Sequence, residues 1–278
     1  VGDVNGDGFD DFLIATNRAD QYRGATHLIY GKASGLQAGV DLNGVLDGSV
    51  DGAVFYGASS SEYSGQSISS VGDLNGDGLS DLIISTSYAG RTYLVYGRQS
   101  GLTGAIDLDD VSAGNIAGAV FNGLNGERAG WDVSDAGDVN GDGLDDLLIT
   151  TDESSNSTQS GNTYLVYGQT QEFVGNINLS NIESGYLDGA VFNFDMQVDN
   201  YGVGSSVSTA GDVNGDGIAD LAVIGTTHWA EWDSLGYGPY ATLAGSIYFD
   251  AANLSGDVAQ GTGADVLFYE ASSGWGNI

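Results

Sequence analysis

The stretch GDVNGDGFDD, residues 2–11, decides the fold because it returns three times with little change. It reads GDLNGDGLSD at 72–81, GDVNGDGLDD at 137–146 and GDVNGDGIAD at 211–220. The leading aspartates, Asp3, Asp73, Asp138 and Asp212, stand 70, 65 and 74 residues apart. Periods of this order belong to propellers, solenoids and arrays, in which one supersecondary unit is stacked repeatedly.

The same order of elements surrounds each copy. Ahead of it, GQSISSVG (65–72), GWDVSDAG (130–137) and GSSVSTAG (204–211) share the form G-x-x-[IV]-S-x-[AV]-G. Behind it come FLIAT from Phe12, LIIST from Leu82, LLITT from Leu147 and LAVIG from Leu221. A third run follows: THLIYG from Thr26, TYLVYG from Thr92 and from Thr163, and SIYFD from Ser246. The fourth is AVFYG from Ala53, AVFNG from Ala119, AVFNF from Ala190 and VLFYE from Val266. All are short, apolar or alternating, and bounded by Gly, Asn, Asp and Ser, which is the pattern of strands. Four strands per period predict an all-β chain, a β-propeller of four-stranded antiparallel blades. One propeller or propeller portion then spans 1–278, with repeats at roughly 1–64, 65–129, 130–203 and 204–278. The 46 glycines and the lack of a long 3.6-residue apolar period argue against helix.

Each acidic loop has the register D-x-N-x-D-G-x-x-D, which supplies oxygens at positions 1, 3, 5 and 9 and a backbone carbonyl at position 7. The candidate ligands are Asp3, Asn5, Asp7, Asp11 and the carbonyl of Phe9; then Asp73, Asn75, Asp77, Asp81 and Leu79. The later loops offer Asp138, Asn140, Asp142, Asp146 and Leu144, then Asp212, Asn214, Asp216, Asp220 and Ile218. Hard oxygen donors in this mixture suit Ca²⁺, about four ions at one per repeat. Asn-Gly and Asp-Gly also form hairpin turns unaided, but four copies that all keep the ninth-position Asp favour the metal. An EF-hand needs a bidentate Glu at position 12. That position is Ile14, Ile84, Ile149 and Val223, inside a strand pattern.

These loops, the Phe-containing strand before each G-x-x-[IV]-S strand, and the tails YGKASGLQAGVDL (30–42) and YGRQSGLTGAIDL (96–108) resemble the FG-GAP repeats of the integrin α-chain β-propeller and its bacterial relatives. The resemblance covers essentially the whole chain. It implies calcium held in the hairpin between the first and second strands of each blade. The Gly-Ala-Pro that names the repeat is replaced by ATN (15–17), STS (85–87), TTD (150–152) and IGT (224–226). The fourth repeat has Phe249-Asp250 where the others have Tyr-Gly.

Composition narrows the function. Asp and Glu number 38 against 6 Lys and Arg, for a net charge of −32 that repels nucleic acid and anionic lipid. There is no cysteine, and no run of eighteen apolar residues, so membrane insertion is not expected. The two histidines, His27 and His228, lie in different repeats, no Ser/His/Asp spacing stands out, and the recurring carboxylates are committed to metal. The chain is therefore not expected to be an enzyme. His27 reads as a strand residue with a satisfied imidazole.

If the acidic hairpins lie at one end, the connections between second and third strands emerge at the other, at 17–25, 87–91, 152–162 and 226–244. The last holds Trp229, Trp232, Tyr237 and Tyr240, candidates for ligand binding that the loop otherwise packs against a neighbouring blade. The expected role is a calcium-stabilised extracellular binding or adhesion module for a protein or glycan, secreted from a bacterium. The rivals are a structural subunit of a surface layer, sheath or filament, with like subunits as partners, and a non-catalytic propeller attached to a secreted enzyme. Val1-Gly2 reads as the end of a first strand and GWGNI (274–278) as the approach to another. The four repeats are thus expected to belong to a larger ring.

Overall fold

The computed structural model describes residues 1–36, 38–86, 88–123, 127–152, 161–193, 206–229, 240–248, 256–259 and 266–269. The chain begins with β1 (Phe12–Thr16), β2 (Ala25–Ile29) and β3 (Gly52–Tyr56). Next come β4 (Ile68–Ser70), β5 (Leu82–Thr86), β6 (Arg91–Val95), β7 (Gly104–Asp107) and β8 (Gly118–Asn122). The third group is β9 (Arg128–Gly137), β10 (Asp146–Asp152), β11 (Asn162–Val166), β12 (Gly175–Asn178) and β13 (Gly189–Asn193). The last is β14 (Ser206–Gly211), β15 (Asp220–Trp229), β16 (Tyr240–Tyr248), β17 (Gly256–Ala259) and β18 (Val266–Tyr269). Helix is confined, among the described residues, to single turns such as Gly44–Asp47 and Asp109–Ser112.

The strands form four sheets: β1-β2-β3-β7, β4-β5-β6-β8-β12, β9-β10-β11-β13-β17 and β14-β15-β16-β18. Each is a propeller blade of antiparallel neighbours. The exception is the outer strand: β7 runs parallel to β3, β12 to β8 and β17 to β13. Each of these parallel strands comes from the repeat that follows the blade it joins, so consecutive repeats are laced together. The sequence expectation of four antiparallel strands per blade omitted this fifth strand. The corresponding segment 39–42, GVDL, resembles GAIDL at 104–108 but is not a strand and pairs with none among the described residues.

Packing explains why these strands read as unbroken apolar runs. Alternate side chains of a strand point to opposite faces, and here both faces are covered. Leu82 and Ile84 of β5, with Tyr93 and Val95 of β6, pack with Leu28 and Phe55 of the first blade. Ile83 and Leu94 of the same strands pack with Leu147, Ile149 and Tyr164 of the third blade. Leu148 and Leu165 then turn the other way, towards Val207, Leu221 and Val223 of the fourth. The core is a series of layers between blades, so β5, β6, β10 and β11 have no solvent face to alternate with, whereas Ile14 of β1 stays exposed.

Two residues of the Tyr-Gly pair after the third strand have distinct tasks. The Tyr30 hydroxyl donates to the Leu102 carbonyl at 3.0 Å and accepts from the Leu102 amide at 2.5 Å. Tyr96 accepts from the Phe173 amide at 2.7 Å. Each tyrosine therefore holds the tail that delivers the parallel strand. The glycine that follows it serves the acidic loop described below.

The fourth blade corrects one expectation. The segment 226–244 is strand at both ends, because β15 continues to Trp229 and β16 starts at Tyr240, with Trp229 and Tyr240 paired across the two strands. The run Thr226, Thr227, His228, Trp229 is rich in β-branched and aromatic residues, which favour extension of an existing ladder. Trp232 and Tyr237 lie outside the described residues, as do Phe249, Asp250 and 270–278, and with them the relation of Ile278 to Val1. No strand pairing among the described residues joins the first sheet to the last.

A glycine opens the fourth strand of each of the first three blades for a steric reason. A Cβ on Gly52, Gly118 or Gly189 would lie 2.0, 2.0 and 2.1 Å from the carbonyl oxygens of Leu28, Leu94 and Leu165. Gly118→Ala is expected to destabilise the protein by about 1–3 kcal/mol through overpacking, read by urea denaturation. Gly114→Ala, where nothing lies within 4 Å, is expected to cost about 1 kcal/mol from backbone strain alone. Equal losses in the two variants would refute the steric account.

Candidate functional site

The four acidic loops fold alike. In the first, Asp3 Oδ1 accepts from the amides of Gly6 (2.7 Å) and Asp7 (3.1 Å), and its Oδ2 accepts from Gly8 (2.7 Å). Asn5 Oδ1 accepts from the Asp7 amide at 2.9 Å, and Asp7 Oδ1 from the Phe9 amide at 3.0 Å. The glycines make this curl accessible: Gly6 and Gly8 have φ of 74° and 89°, a region that side chains resist. The same bonds recur around Asp73, Asp138 and Asp212, for example Gly78, Gly143 and Gly217 to the second carboxylate oxygen at 2.8, 2.9 and 2.9 Å.

The ninth-position aspartates sit apart from the rest. Asp11, Asp81, Asp146 and Asp220 are buried beneath their loops, while the first- and fifth-position aspartates remain accessible. In the first three, one oxygen accepts from the second residue of the loop, Val4 (2.9 Å), Leu74 (3.1 Å) or Val139 (3.0 Å). The other accepts from the glycine after the third strand, Gly31 (2.8 Å), Gly97 (2.9 Å) or Gly168 (2.8 Å). Asp220 keeps the first bond, to Val213 at 2.7 Å, but its Oδ1 is buried without a partner among the described residues. The sequence has Asp250 at the place of that glycine. The role of the glycine amide was not foreseen from the sequence, although its recurrence immediately after each Tyr was the signal.

Burial dominates the electrostatics. It raises the Asp81 carboxyl to about 8 and the Asp146 carboxyl to about 7, against the lowering by their two backbone donors. The neighbouring Asp77 and Asp73, or Asp142 and Asp138, add to the rise. Asp11 is raised for the same first cause. None of these carboxyls has a Lys or Arg partner among the described ion pairs.

The donor set fits a calcium ion in chemistry. It consists only of oxygens, every oxygen of Asp7 and of Asp11 accepts a single protein hydrogen bond, and Asp220 retains an oxygen with none among the described residues. Lone pairs therefore remain for a hard cation. No cluster of three or more metal-ligating side chains is drawn together among the described residues, so the loops would have to tighten to bind one. The loops are also linked in series. The amides of Ser80, Asp145 and Ala219 donate to the carbonyls of Asp3, Asp73 and Asp138 in the preceding blade, at 3.0, 3.3 and 3.2 Å.

At the other end, the connection 57–67 lies against the loop 17–24. The amides of Tyr63 and Ser64 donate to the carbonyls of Tyr22 and Arg23, both at 2.9 Å. This is the placement of faces expected from the sequence. Among the candidate ligand residues, Trp229 and Tyr240 are brought together as partners across β15 and β16. His27 departs from expectation. Its Nδ1 is buried with no hydrogen-bond partner, and burial lowers its pKa.

The sequence pattern of the FG-GAP repeat matches residues 1–29, 64–101, 130–166 and 203–226. The chain carries four FG-GAP repeats. The matches run from the first strand through the acidic loop to the second or third strand, and the fourth stops at 226, before β16. The fourth strands and the parallel outer strands lie outside the matched segments. The chain is also 31% identical over 194 residues to a phosphatidylinositol-glycan-specific phospholipase D of Dictyostelium discoideum, a match of 63% of this chain and 19% of that protein. The chain thus corresponds to a small part of that relative's length.

The raised carboxyls have a pH consequence for the metal-free protein. A carboxyl whose folded pKa exceeds the unfolded 3.8 contributes stability that is present below 3.8 and lost as pH rises through the folded value, about 8 for Asp81. In chelator, the denaturation midpoint is expected to fall between pH 4 and pH 8, and Asp81→Asn is expected to flatten that fall. An identical slope in the variant would contradict the assignment.

Proposed function

We propose that this FG-GAP chain is a calcium-stabilised, non-catalytic binding or adhesion module that works outside the cell. Its ligand, a protein or a glycan, meets the loops opposite the acidic ones. The observation that carries the metal reading is the burial of Asp11, Asp81, Asp146 and Asp220 beneath acidic loops without a basic partner. Buried charge without compensation is costly, and a dication at each loop compensates it. Asp7 and its counterparts would contribute their free lone pairs, with Asn5 and the Phe9 carbonyl completing an oxygen shell. Calcium would supply charge neutralisation and a rigid loop, and no chemical step.

FG-GAP repeats occur in extracellular proteins, which supports that location. No helix among the described residues is long and apolar enough to cross a membrane. A second reading has its own support: the similarity to part of a phospholipase D favours a propeller attached to a secreted enzyme. Both readings share the same module and metal.

Chelation is expected to lower the melting temperature sharply, with re-added Ca²⁺ restoring it and calorimetric titration counting about four sites. Each site at a hundredfold excess over its Kd adds about 2.7 kcal/mol. Asp77→Ala is expected to remove one site and leave the others. An unchanged melting curve in excess EDTA would overturn the reading.

A further inference from the structure

Three tyrosines from separate loops stack at the end of the blades opposite the acidic loops. Tyr22 and Tyr63 have ring centroids 5.4 Å apart at 39°, and Tyr63 and Tyr88 are 4.6 Å apart at 32°. Tyr22 follows β1, Tyr63 lies between the first and second blades, and Tyr88 follows β5, so the row crosses a blade boundary. Arg128, at the start of the third blade, lies 5.3 Å over the Tyr88 ring. The outer members stay open to solvent, Tyr22 at 50% and Tyr88 at 58% exposure.

Two further observations mark this place. Among the described residues, the non-glycine positions with positive φ are Asp20, Gln21, Tyr22, Ser61 and Tyr63, all in the two loops that carry the first two rings. Backbone held in sparsely populated conformations clusters at ligand-binding sites. Charge is the second. Four of the six basic residues, Arg18, Arg23, Arg91 and Arg128, are in these loops or at the strand ends beside them. The acidic loops carry fourteen carboxylates and no Lys or Arg. Around the row these four arginines stand among Asp20, Glu62, Asp107, Asp109, Glu127 and Asp132, with Arg23 and Arg91 paired to Asp20, Asp107 and Asp109, so this place is far less acidic than the opposite end.

We infer that the Tyr22–Tyr63–Tyr88 row is a binding site for an uncharged oligosaccharide, an inference that rests on the binding-module reading above. The charge distribution selects the ligand class. An anionic polymer is repelled by the chain as a whole, and a cationic one is drawn to the acidic end. A neutral ligand escapes both. Tyrosine rings present a negative π face to the weakly positive C–H bonds of a pyranose. The surroundings supply hydrogen bonds: Asn17, whose Nδ2 donates to Gln66 Oε1 at 2.9 Å, and the exposed Arg18. Arg23 is fixed by the Gly57 carbonyl at 2.8 Å and by Asp107 at 2.6 Å, so it holds the loop and lies over Tyr56, not over a ring of the row.

The test is electrophoresis of the folded, calcium-loaded chain through native gels containing a soluble β-glucan, a galactomannan, a xyloglucan or alginate. Retardation by at least one of the three neutral polymers is expected, with a loss of at least tenfold in affinity for Tyr22→Ala and for Tyr88→Ala. Tyr186→Ala, at an 86% exposed position elsewhere, is expected to bind normally. Circular dichroism confirms that each variant is folded, and Tyr88→Ser replaces Tyr88→Ala if it is not. No retardation by any neutral polymer, retardation by alginate alone, or full retention in both tyrosine variants overturns the inference. None of those outcomes touches the metal reading, which stands or falls on the EDTA melting curve.

Discussion

A single buried carboxylate organises each of the first three blades. The ninth aspartate of the acidic loop accepts one hydrogen bond from the second residue of its own loop and another from the glycine that ends the third strand. The ends of three strands are therefore tied to one side chain. Two backbone donors offset only part of the cost of burying that charge, as the upward shift of Asp81 records. The fold thus contains, at each loop, a local excess of negative charge that it cannot relieve with its own basic residues. Everything at this end of the molecule, from the left-handed glycines to the carbonyls joined between blades, is arranged around that excess.

The opposite end has the reverse character. There the connections differ from blade to blade in length and composition, and most of the chain's few arginines collect. Arg23 reaches a backbone carbonyl, Asp107 on a laced outer strand, and the face of Tyr56 at 5.6 Å. Such multiple anchoring limits the freedom of a loop that no regular ladder supports. Division of labour follows from antiparallel topology: the hairpins fixed by repetition fall at one end, and the connections free to vary fall at the other.

Much of this was legible in the sequence because repetition supplied four readings of each element. The strands FLIAT, LIIST and LLITT, the acidic loops and the assignment of faces all rest on such agreement. The parallel strands GAID (104–107), GNIN (175–178) and GDVA (256–259) were not read, since four-residue runs with Asp and Asn inside look like connections. What makes them strands is an open ladder on a neighbouring blade, a tertiary fact. The segment 39–42 shows the point from the other side, having a similar sequence without the ladder. The fourth repeat was hardest. There β15 and β16 continue well beyond the lengths of their counterparts, and one oxygen of Asp220 has no partner among the described residues.

The laced outer strands set an order of assembly. Strand β3 ends at Tyr56, and its parallel partner β7 begins only at Gly104, after the whole inner part of the second blade has been laid down. The same delay separates β8 from β12 and β13 from β17. During synthesis from the N-terminus, each of the first three blades therefore has an open edge until its successor is made, and is sealed by it. A break at a repeat boundary would separate two incomplete halves, each missing a piece that the other holds. The unit of folding is accordingly the joint between neighbours, and the chain grows as a zipper closes, one tooth always ahead of the last one locked.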